Sequence, residues 1–239
     1  SYDDDCVGLV EWMPLLRNGK QVSLKVVAYH PKNPDQYGLP TILSTALGLD
    51  TSNGHATSIV DATFLTSIRT GAASAVASRI LAPSDSRTLG LVGAGAQAVT
   101  QLHALSRIAD IRSVLIADID AGTCASFADR VRMLGLTVNI ETRAVAEIVR
   151  EADIICTATS VDVGGGPVLP DGEFQAGVHI NAVGSDFPGK TELPLSLLQR
   201  SMVCPDFRDQ AIHEGECQQL NQNDIGPDLI ELVKHQNEF

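Results

Sequence analysis

Long apolar runs are missing from this chain. None of its 239 residues form a stretch near the roughly 18 needed to cross a bilayer, so a helical membrane span is excluded. Positive charge is scarce: 17 Lys and Arg face 29 Asp and Glu, for a net charge of −12 and a pI near 4.8. That balance disfavours nucleic acid and anionic membrane surfaces as partners, but it does not exclude an anionic cofactor held by local groups. The opening Ser1-Tyr2-Asp3-Asp4-Asp5 is acidic where a secretory leader needs a basic segment, so no signal peptide is expected there. Cysteine is sparse and scattered. Cys6, Cys124, Cys156, Cys204 and Cys217 are odd in number and form no C-x-x-C, which predicts reduced thiols and a cytoplasmic protein. The histidines show no H-x-x-x-H or HExxH spacing. His213 and Glu214 are neighbours and would diverge on a helix, so no metal site is expected.

What the chain does have is a glycine turn in a specific setting. An apolar strand, Leu89 to Val92, runs into Gly93-Ala94-Gly95-Ala96-Gln97-Ala98, and a helix-period run follows with Ala98, Leu102, Leu105 and Ile108 on one face. Gly93 permits the tight turn out of the strand. Gly95, lacking Cβ, lets backbone approach a pyrophosphate, and Ala98 is small enough for close helix–strand packing. The helix N-terminus then offers N–H groups and partial positive charge to phosphates. A second strand, Ser113 to Ala117, ends at Asp118, an acid placed to accept hydrogen bonds from an adenosine ribose and to repel a 2′-phosphate. The pattern predicts dinucleotide binding, with NAD favoured over NADP.

Around this turn the chain divides near residue 85. Residues 1 to about 61 read as antiparallel β. Val7–Met13 and Val22–Tyr29 flank the hairpin signal Arg17-Asn18-Gly19-Lys20, and Thr41–Leu49 and Ala56–Asp61 flank Asp50-Thr51-Ser52-Asn53-Gly54. An Ala-rich helix over 62–81 and a Pro83–Ser86 linker follow. From Arg87, strands are predicted at 88–92, 112–117, 136–140, 153–157, 178–183 and 201–204, and helices at 96–109, 121–134, 143–151 and 207–220. This alternation implies a Rossmann-like, doubly wound parallel sheet of the α/β class behind an N-terminal, mainly antiparallel β domain. Domains are expected at 1–85 (substrate and oligomer contacts), 86–205 (dinucleotide) and 206–239 (start of a return to the substrate domain). The glycine-rich loop 160–172 follows the fourth strand of the parallel sheet, at the end where ligands bind.

Four polar groups stand out. Lys25 interrupts the strand Leu24-Lys25-Val26-Val27, facing either solvent or a pocket that takes a carboxylate. Arg69 lies beside Thr70-Gly71-Ala72-Ala73 in the Ala-rich helix, either solvated or packed around an anion. Asp186 follows the strand Ile180–Val183 at the sheet's C-terminal edge, either in an Asx-turn before Pro188-Gly189 or placed for proton transfer. Thr157-Ala158-Thr159-Ser160 ends the fourth strand of the sheet with small hydroxyl side chains where a dinucleotide would pass.

These segments together resemble the ornithine cyclodeaminase/μ-crystallin family. The likeness rests on Leu24-Lys25-Val26-Val27, Tyr37-Gly38-Leu39-Pro40-Thr41, Ile68-Arg69-Thr70-Gly71-Ala72, Val92–Gln97, Ala158-Thr159-Ser160, Ile180–Asp186 and Pro188–Leu193. Glu11-Trp12-Met13-Pro14, Gly166–Pro170 and Glu214–Gln219 point to the lysine cyclodeaminase branch.

By this resemblance Lys25 and Arg69 hold the substrate carboxylate, and Asp186 acts on the amino groups as acid and base. Glu11, Met13 and Thr41 line the substrate pocket. Thr70 with Gly93, Gly95, Ala96 and Gln97 holds the pyrophosphate, Asp118 the ribose, and Thr157, Ala158, Thr159 and Val183 complete the NAD site. The resemblance implies a homodimer with helical segments before residue 1 and after Phe239. It also implies cyclisation of L-lysine to L-pipecolate, or of L-ornithine to L-proline, with release of ammonia. The neighbouring chemistries are a cyclic imino acid reductase or amino-acid dehydrogenase, and a non-catalytic binding protein of the μ-crystallin kind.

Overall fold

The computed structural model describes residues 8–239, so Val7 of the first predicted strand and Cys6 lie outside the described residues. The chain divides into two compact units, one ending at Ser67 and one running from Ile68 to Phe239.

The first unit is a four-stranded antiparallel sheet in the order β1-β2-β3-β4: β1 (Leu9–Arg17), β2 (Gln21–Tyr29), β3 (Ile42–Leu49) and β4 (Ala56–Asp61). β1 continues through Pro14 to Arg17, beyond the predicted end at Met13. Pro14 is tolerated because β1 is an edge strand and needs no ladder N–H on its open side. The first turn closes through Lys20 N–H donating to Arg17 O at 2.9 Å, with Gly19 at φ 67°. A short helix, α1 (Asn33–Tyr37), stands between β2 and β3; Gly38 in the left-handed region ends it. Register places Met13 opposite Lys25 and Lys25 opposite Ala46, with Glu11 opposite Val27. Strand alternation therefore puts Glu11, Met13 and Lys25 on one face. The other face carries Trp12, Leu16, Leu24, Val26, Leu47 and Ile59, with Trp12, Leu16 and Ile59 exposed.

Helix α2 (Thr63–Leu81) follows, opened by Asp61, whose carboxylate accepts Thr63 N–H at 2.8 Å. The second unit is built on five parallel strands in the order β7-β6-β5-β8-β9. They are β5 (Thr88–Val92), β6 (Ser113–Ala117), β7 (Asn139–Thr142), β8 (Ile154–Thr157) and β9 (His179–Ala182). Helices α3 (Ala96–Leu105), α4 (Ala121–Arg132) and α5 (Val145–Glu151) make the crossovers. Two apolar clusters flank the sheet. One holds Leu89, Leu91, Ala98, Leu102, Phe127 and Ile154; the other holds Val92, Leu115, Ile148, Ile155, Leu197 and Leu198. Sequence order reverses between β5 and β8, so the crevice at their C-terminal ends is where such a sheet takes a ligand.

Several boundaries differ from expectation. The strand expected at 136–140 starts at Asn139, since Gly135 in the left-handed region directs a turn there. The helix expected at 96–109 ends at Leu105 and passes into turns. The strand expected at 201–204 is reduced to an isolated parallel bridge between Val203 and Ile225. The helix expected at 207–220 is broken into shorter pieces. After α6 (Leu195–Leu198) come α7 (Arg208–Ala211) and a 3-10 turn, Glu216–Gln219, separated by Gly215 at φ 77°. That left-handed glycine cannot continue an α-helix. A further 3-10 turn (Gln222–Asp224) and α8 (Leu229–Lys234) were not signalled by the periodicity. Among the described residues no helix is long and apolar enough to cross a membrane.

Candidate functional site

The glycine turn is built from β5, α3 and β6. Gly93 sits at φ 91°, and a Cβ there would lie 2.5 Å from Ala158 O, so only glycine fits where β5 meets the chain leaving β8. Its N–H donates to Ala117 O at 2.8 Å, and Ala158 N–H donates to Val92 O at 2.8 Å. At Gly95 a Cβ would meet nothing within 4 Å, so the space above this residue is open. Gly95 is also the N-cap of α3 and contributes no side-chain cap, leaving the helix N-terminus uncovered by its own cap residue. Ala98 is fully buried against the Leu89–Leu91 side of the sheet. These features fit a pyrophosphate: an uncovered ten-residue helix terminus and a backbone cradle with no Cβ.

Asp118 holds this turn in shape. Its Oδ2 accepts Ala94 N–H at 2.7 Å and its Oδ1 accepts Asp120 N–H at 2.9 Å. A carboxylate has roughly four acceptor sites, so capacity remains for a ribose hydroxyl. Arg130 of α4 closes the other side, donating to Ala94 O at 2.6 Å and Thr123 O at 2.9 Å while lying over the Phe127 ring. No local pattern in the sequence marks Arg130. Its position becomes legible only once α4 is seen to pack on the turn.

Arg69 and Thr70 lie early in the second unit, Arg69 exposed and Thr70 half-buried. Next to them Gly71 lets α2 approach α3 closely, since a Cβ there would lie 2.4 Å from Thr100 O. This contact ties the Arg69–Thr70 turn of α2 to the helix that begins at the glycine turn.

The ends of β8 and β9 meet on one buried carboxylate. Glu192 is fully buried and accepts four hydrogen bonds. Its Oε1 takes Thr159 N–H at 2.8 Å and Thr159 Oγ1 at 2.7 Å; its Oε2 takes Thr157 Oγ1 at 2.6 Å and Gly184 N–H at 2.8 Å. Thr157 is itself fully buried and turned to Glu192, so its side chain positions the strand end and is not presented to a ligand. Val183 N–H extends the ladder to Thr157 O at 2.9 Å. Gly184 is obligatory, because a Cβ would strike Glu192 Oε1 at 2.4 Å. Glu192 lies within the Pro188–Leu193 segment of the family likeness, and the sequence pattern assigns it no chemistry. An acid set in Thr191-Glu192-Leu193-Pro194-Leu195 was the available signal.

Asp186 follows in an exposed loop, with its side chain 59% accessible. Its partner is Lys190, whose Nζ donates to Oδ1 at 2.6 Å. Lys190 is nearly buried, and Lys190 N–H donates to Phe187 O at 3.0 Å. This pairing was not anticipated, though an i,i+4 Asp–Lys spacing is visible in the sequence. Ser185 Oγ donates to Lys190 O and closes the loop on itself.

Behind it lies Glu216, whose burial pushes its carboxyl up to about 7 against the pull of the Glu192 and Leu193 N–H groups. Burial likewise pushes the Cys156 thiol up to about 12, which excludes it as a thiolate nucleophile near neutrality. His179 is shifted down by burial, partly offset by its contact with Asn181.

In the first unit, Glu11, Met13 and Lys25 share a sheet face, and Thr41 directly precedes β3, its carbonyl accepting His30 N–H at 2.8 Å. Lys25 and Arg69 belong to different compact units.

A β5–turn–α3 cradle, an acid at the end of β6 and a carboxylate loop after β9 thus occupy one edge of one parallel sheet. The ornithine cyclodeaminase/μ-crystallin family model matches residues 2–238. The chain belongs to that family. It is 47% identical over 228 residues to an L-lysine cyclodeaminase of Streptomyces rapamycinicus, covering 95% of this chain and 66% of the relative. It therefore spans about two thirds of that relative's length. A solved lysine cyclodeaminase, studied for recognition of L-lysine, L-ornithine and L-2,4-diaminobutyric acid, superposes with a TM-score of 0.93 at 52% identity, covering 97% of this chain and 67% of that one. An archaeal alanine dehydrogenase dimer with bound NAD superposes with a TM-score of 0.85 at 32% identity, over 95% and 71%.

Proposed function

We propose that this chain is the greater part of an NAD-dependent cyclodeaminase that converts L-lysine to L-pipecolate, or L-ornithine to L-proline, and releases ammonia. The observation that carries the reading is the placement of Asp186 at the same C-terminal edge of the sheet as the glycine turn. The 47% identity to an L-lysine cyclodeaminase supports it.

The chemistry NAD would supply there is reversible hydride transfer at the substrate Cα, with no net oxidation. The α3 N-terminus with Gly93, Gly95, Ala96 and Gln97 would hold the pyrophosphate, aided by Thr70. Asp118 would accept from the ribose and reject a 2′-phosphate by charge. Ala158, Thr159 and Val183 would line the nicotinamide end, with Thr157 supporting them from below through Glu192.

Lys25 and Arg69 would clamp the substrate carboxylate, with Glu11, Met13 and Thr41 around the side chain. Asp186 would receive the terminal ammonium. Free alkyl amines are protonated at pH 7, yet the amine must be neutral to attack Cα. Asp186 would take that proton as the ring closes and return one to the departing ammonia. Lys190 already shows how an ammonium seats on this carboxylate, at 2.6 Å.

We assign residues 1–85 to substrate contacts and assembly, 86–205 to dinucleotide binding, and 206–239 to the return toward the substrate domain. The exposed apolar face of the first sheet, with Trp12, Leu16 and Ile59, suits assembly as a homodimer. The free thiols of Cys124, Cys156, Cys204 and Cys217 suit a reducing compartment such as the cytoplasm.

The test is full-length protein incubated with NAD⁺ and each diamino acid. Ammonia and a cyclic amino acid in equal amounts are expected, and Asp186→Asn should abolish both while dinucleotide binding survives. Near-normal turnover by Asp186→Asn would hand the proton chemistry to another group, with Glu11 next in line.

A further inference from the structure

The segment Glu214–Gln219 carries part of the family likeness, and none of the chemistry above uses it. Gly215, at φ 77°, turns the chain into the 3-10 turn Glu216–Gln219, and three side chains of that turn lie along the backbone of residues 189–193. Gly189 N–H donates to Gln218 Oε1 at 2.7 Å, and Gln218 Nε2 donates to Lys190 O at 2.9 Å. Glu192 N–H donates to Glu216 Oε1 at 2.7 Å and Leu193 N–H to Glu216 Oε2 at 3.3 Å. Gln219 Nε2 donates to Leu193 O at 3.2 Å and steadies Glu216 Oε2 at 2.9 Å. Side chains here do what the backbone of a neighbouring strand would do, reading donors and acceptors along one edge. Gln218 is fixed for this task by a further bond from its Nε2 to Gly215 O at 2.8 Å.

The edge so gripped belongs to the Asp186 loop. Lys190 O accepts from both Gln218 Nε2 and Ser185 Oγ, and Lys190 Nζ donates to Asp186 Oδ1. The start of the loop is pinned separately, by Gly184 N–H on Glu192. The Asp186 carboxylate is largely exposed and pairs with Lys190. The place of its carboxylate therefore depends on where the two loop ends are held. One is held by Glu192, the other by Gln218.

We propose that Gln218 is a positioning residue for Asp186, so that its grip on the loop sets the turnover rate and leaves dinucleotide affinity unchanged. The proposal rests on Asp186 acting as the acid and base. Its chemistry is familiar: a small displacement of a reacting group, with no loss of binding, costs up to about a hundredfold in rate.

The experiment compares Gln218→Ala and Gln218→Met in the full-length protein with L-lysine as substrate. Methionine restores the packing volume without any of the three side-chain hydrogen bonds. Both variants should lose roughly tenfold or more in kcat, while KM for lysine stays within about threefold and NAD⁺ affinity within about twofold. Amide exchange in residues 184–193 should rise in both. Unchanged kcat in Gln218→Ala overturns the proposal, and so does recovery of kcat in Gln218→Met, which would make the role one of packing. Loss of NAD⁺ affinity in step with kcat overturns it too, because the turn would then support the whole unit. Asp186→Asn is measured alongside. If that variant turns over normally, or the unmodified protein has no activity on any diamino acid, the functional reading has failed. Amide exchange then judges the grip alone: unchanged protection at 184–193 in Gln218→Ala refutes it.

Discussion

Glu192 accepts both the backbone N–H and the hydroxyl of Thr159, at 2.8 and 2.7 Å, from a fully buried position. The same carboxylate reaches Gly184 N–H through its other oxygen. Each oxygen thus serves one backbone N–H, one from each of the two chain segments that leave β8 and β9. The strand ends that face the proposed nicotinamide position are joined by one side chain.

Glutamine cannot replace this acid. Either orientation of its amide sets an NH₂ group against a backbone N–H, of Thr159 or of Gly184. A buried donor left without an acceptor costs about 1–3 kcal/mol, more where a charged acceptor is lost. Glu192→Gln should therefore lower stability by at least that amount, read from denaturant midpoints. A loss below about 0.5 kcal/mol, the scale of an ordinary surface change, would show that the four contacts carry little.

Glu216 gives a pH dependence with a definite sign. Its carboxyl stands at about 7 in the folded protein, raised from 4.5, chiefly by burial and further by the Glu192 charge. Between those values the folded state keeps a proton that the unfolded state releases, so this group's contribution is full below pH 4.5 and declines as pH rises to about 7. The stability difference between the native protein and Glu216→Gln should shrink, or grow more unfavourable to the native protein, over that window and stay flat above it. A difference independent of pH from 4.5 to 8 would contradict the shift.

Asp118 serves the turn and, by proposal, the ribose. Serine is too short to hold Ala94 N–H and carries no charge against a 2′-phosphate. Asp118→Ser should weaken NAD and narrow its advantage over NADP, measured as two dissociation constants. Equal affinity of the native protein for both cofactors would defeat the assignment.

Lys25→Met and Arg69→Met test the carboxylate clamp. Charge-assisted hydrogen bonds are worth roughly 1.5–3 kcal/mol each, so each change should raise the apparent substrate constant about 10- to 150-fold. NAD binding should be nearly unaffected. An unchanged substrate constant would make that residue a solvated surface charge.

The parallel sheet was legible because its two central motif strands, β5 and β6, are short apolar runs ended by a glycine or acid, at Val92-Gly93 and Ala117-Asp118. The antiparallel sheet was legible from its alternation and from Asn18-Gly19 and Asn53-Gly54. The largest departure lies after residue 200, where apolar residues show no steady period and Gly215 breaks the predicted helix. Buried polar side chains escaped for another reason. Glu192, Glu216, Gln218 and Arg130 bind backbone groups distant in sequence, and no local pattern marks such partners. Thr157 was singled out as a cofactor contact for its small hydroxyl, but that hydroxyl is committed to Glu192.

Cyclisation with no net oxidation would leave the Cα hydrogen of the substrate in the product. L-lysine deuterated at Cα, incubated with the full-length protein and catalytic NAD⁺, measures this directly. The expected result is pipecolate that keeps its deuterium, one ammonia per product, and no accumulating NADH. Deuterium appearing in free NADH, with an imino or keto acid as the end product, would contradict it and mark a dehydrogenase.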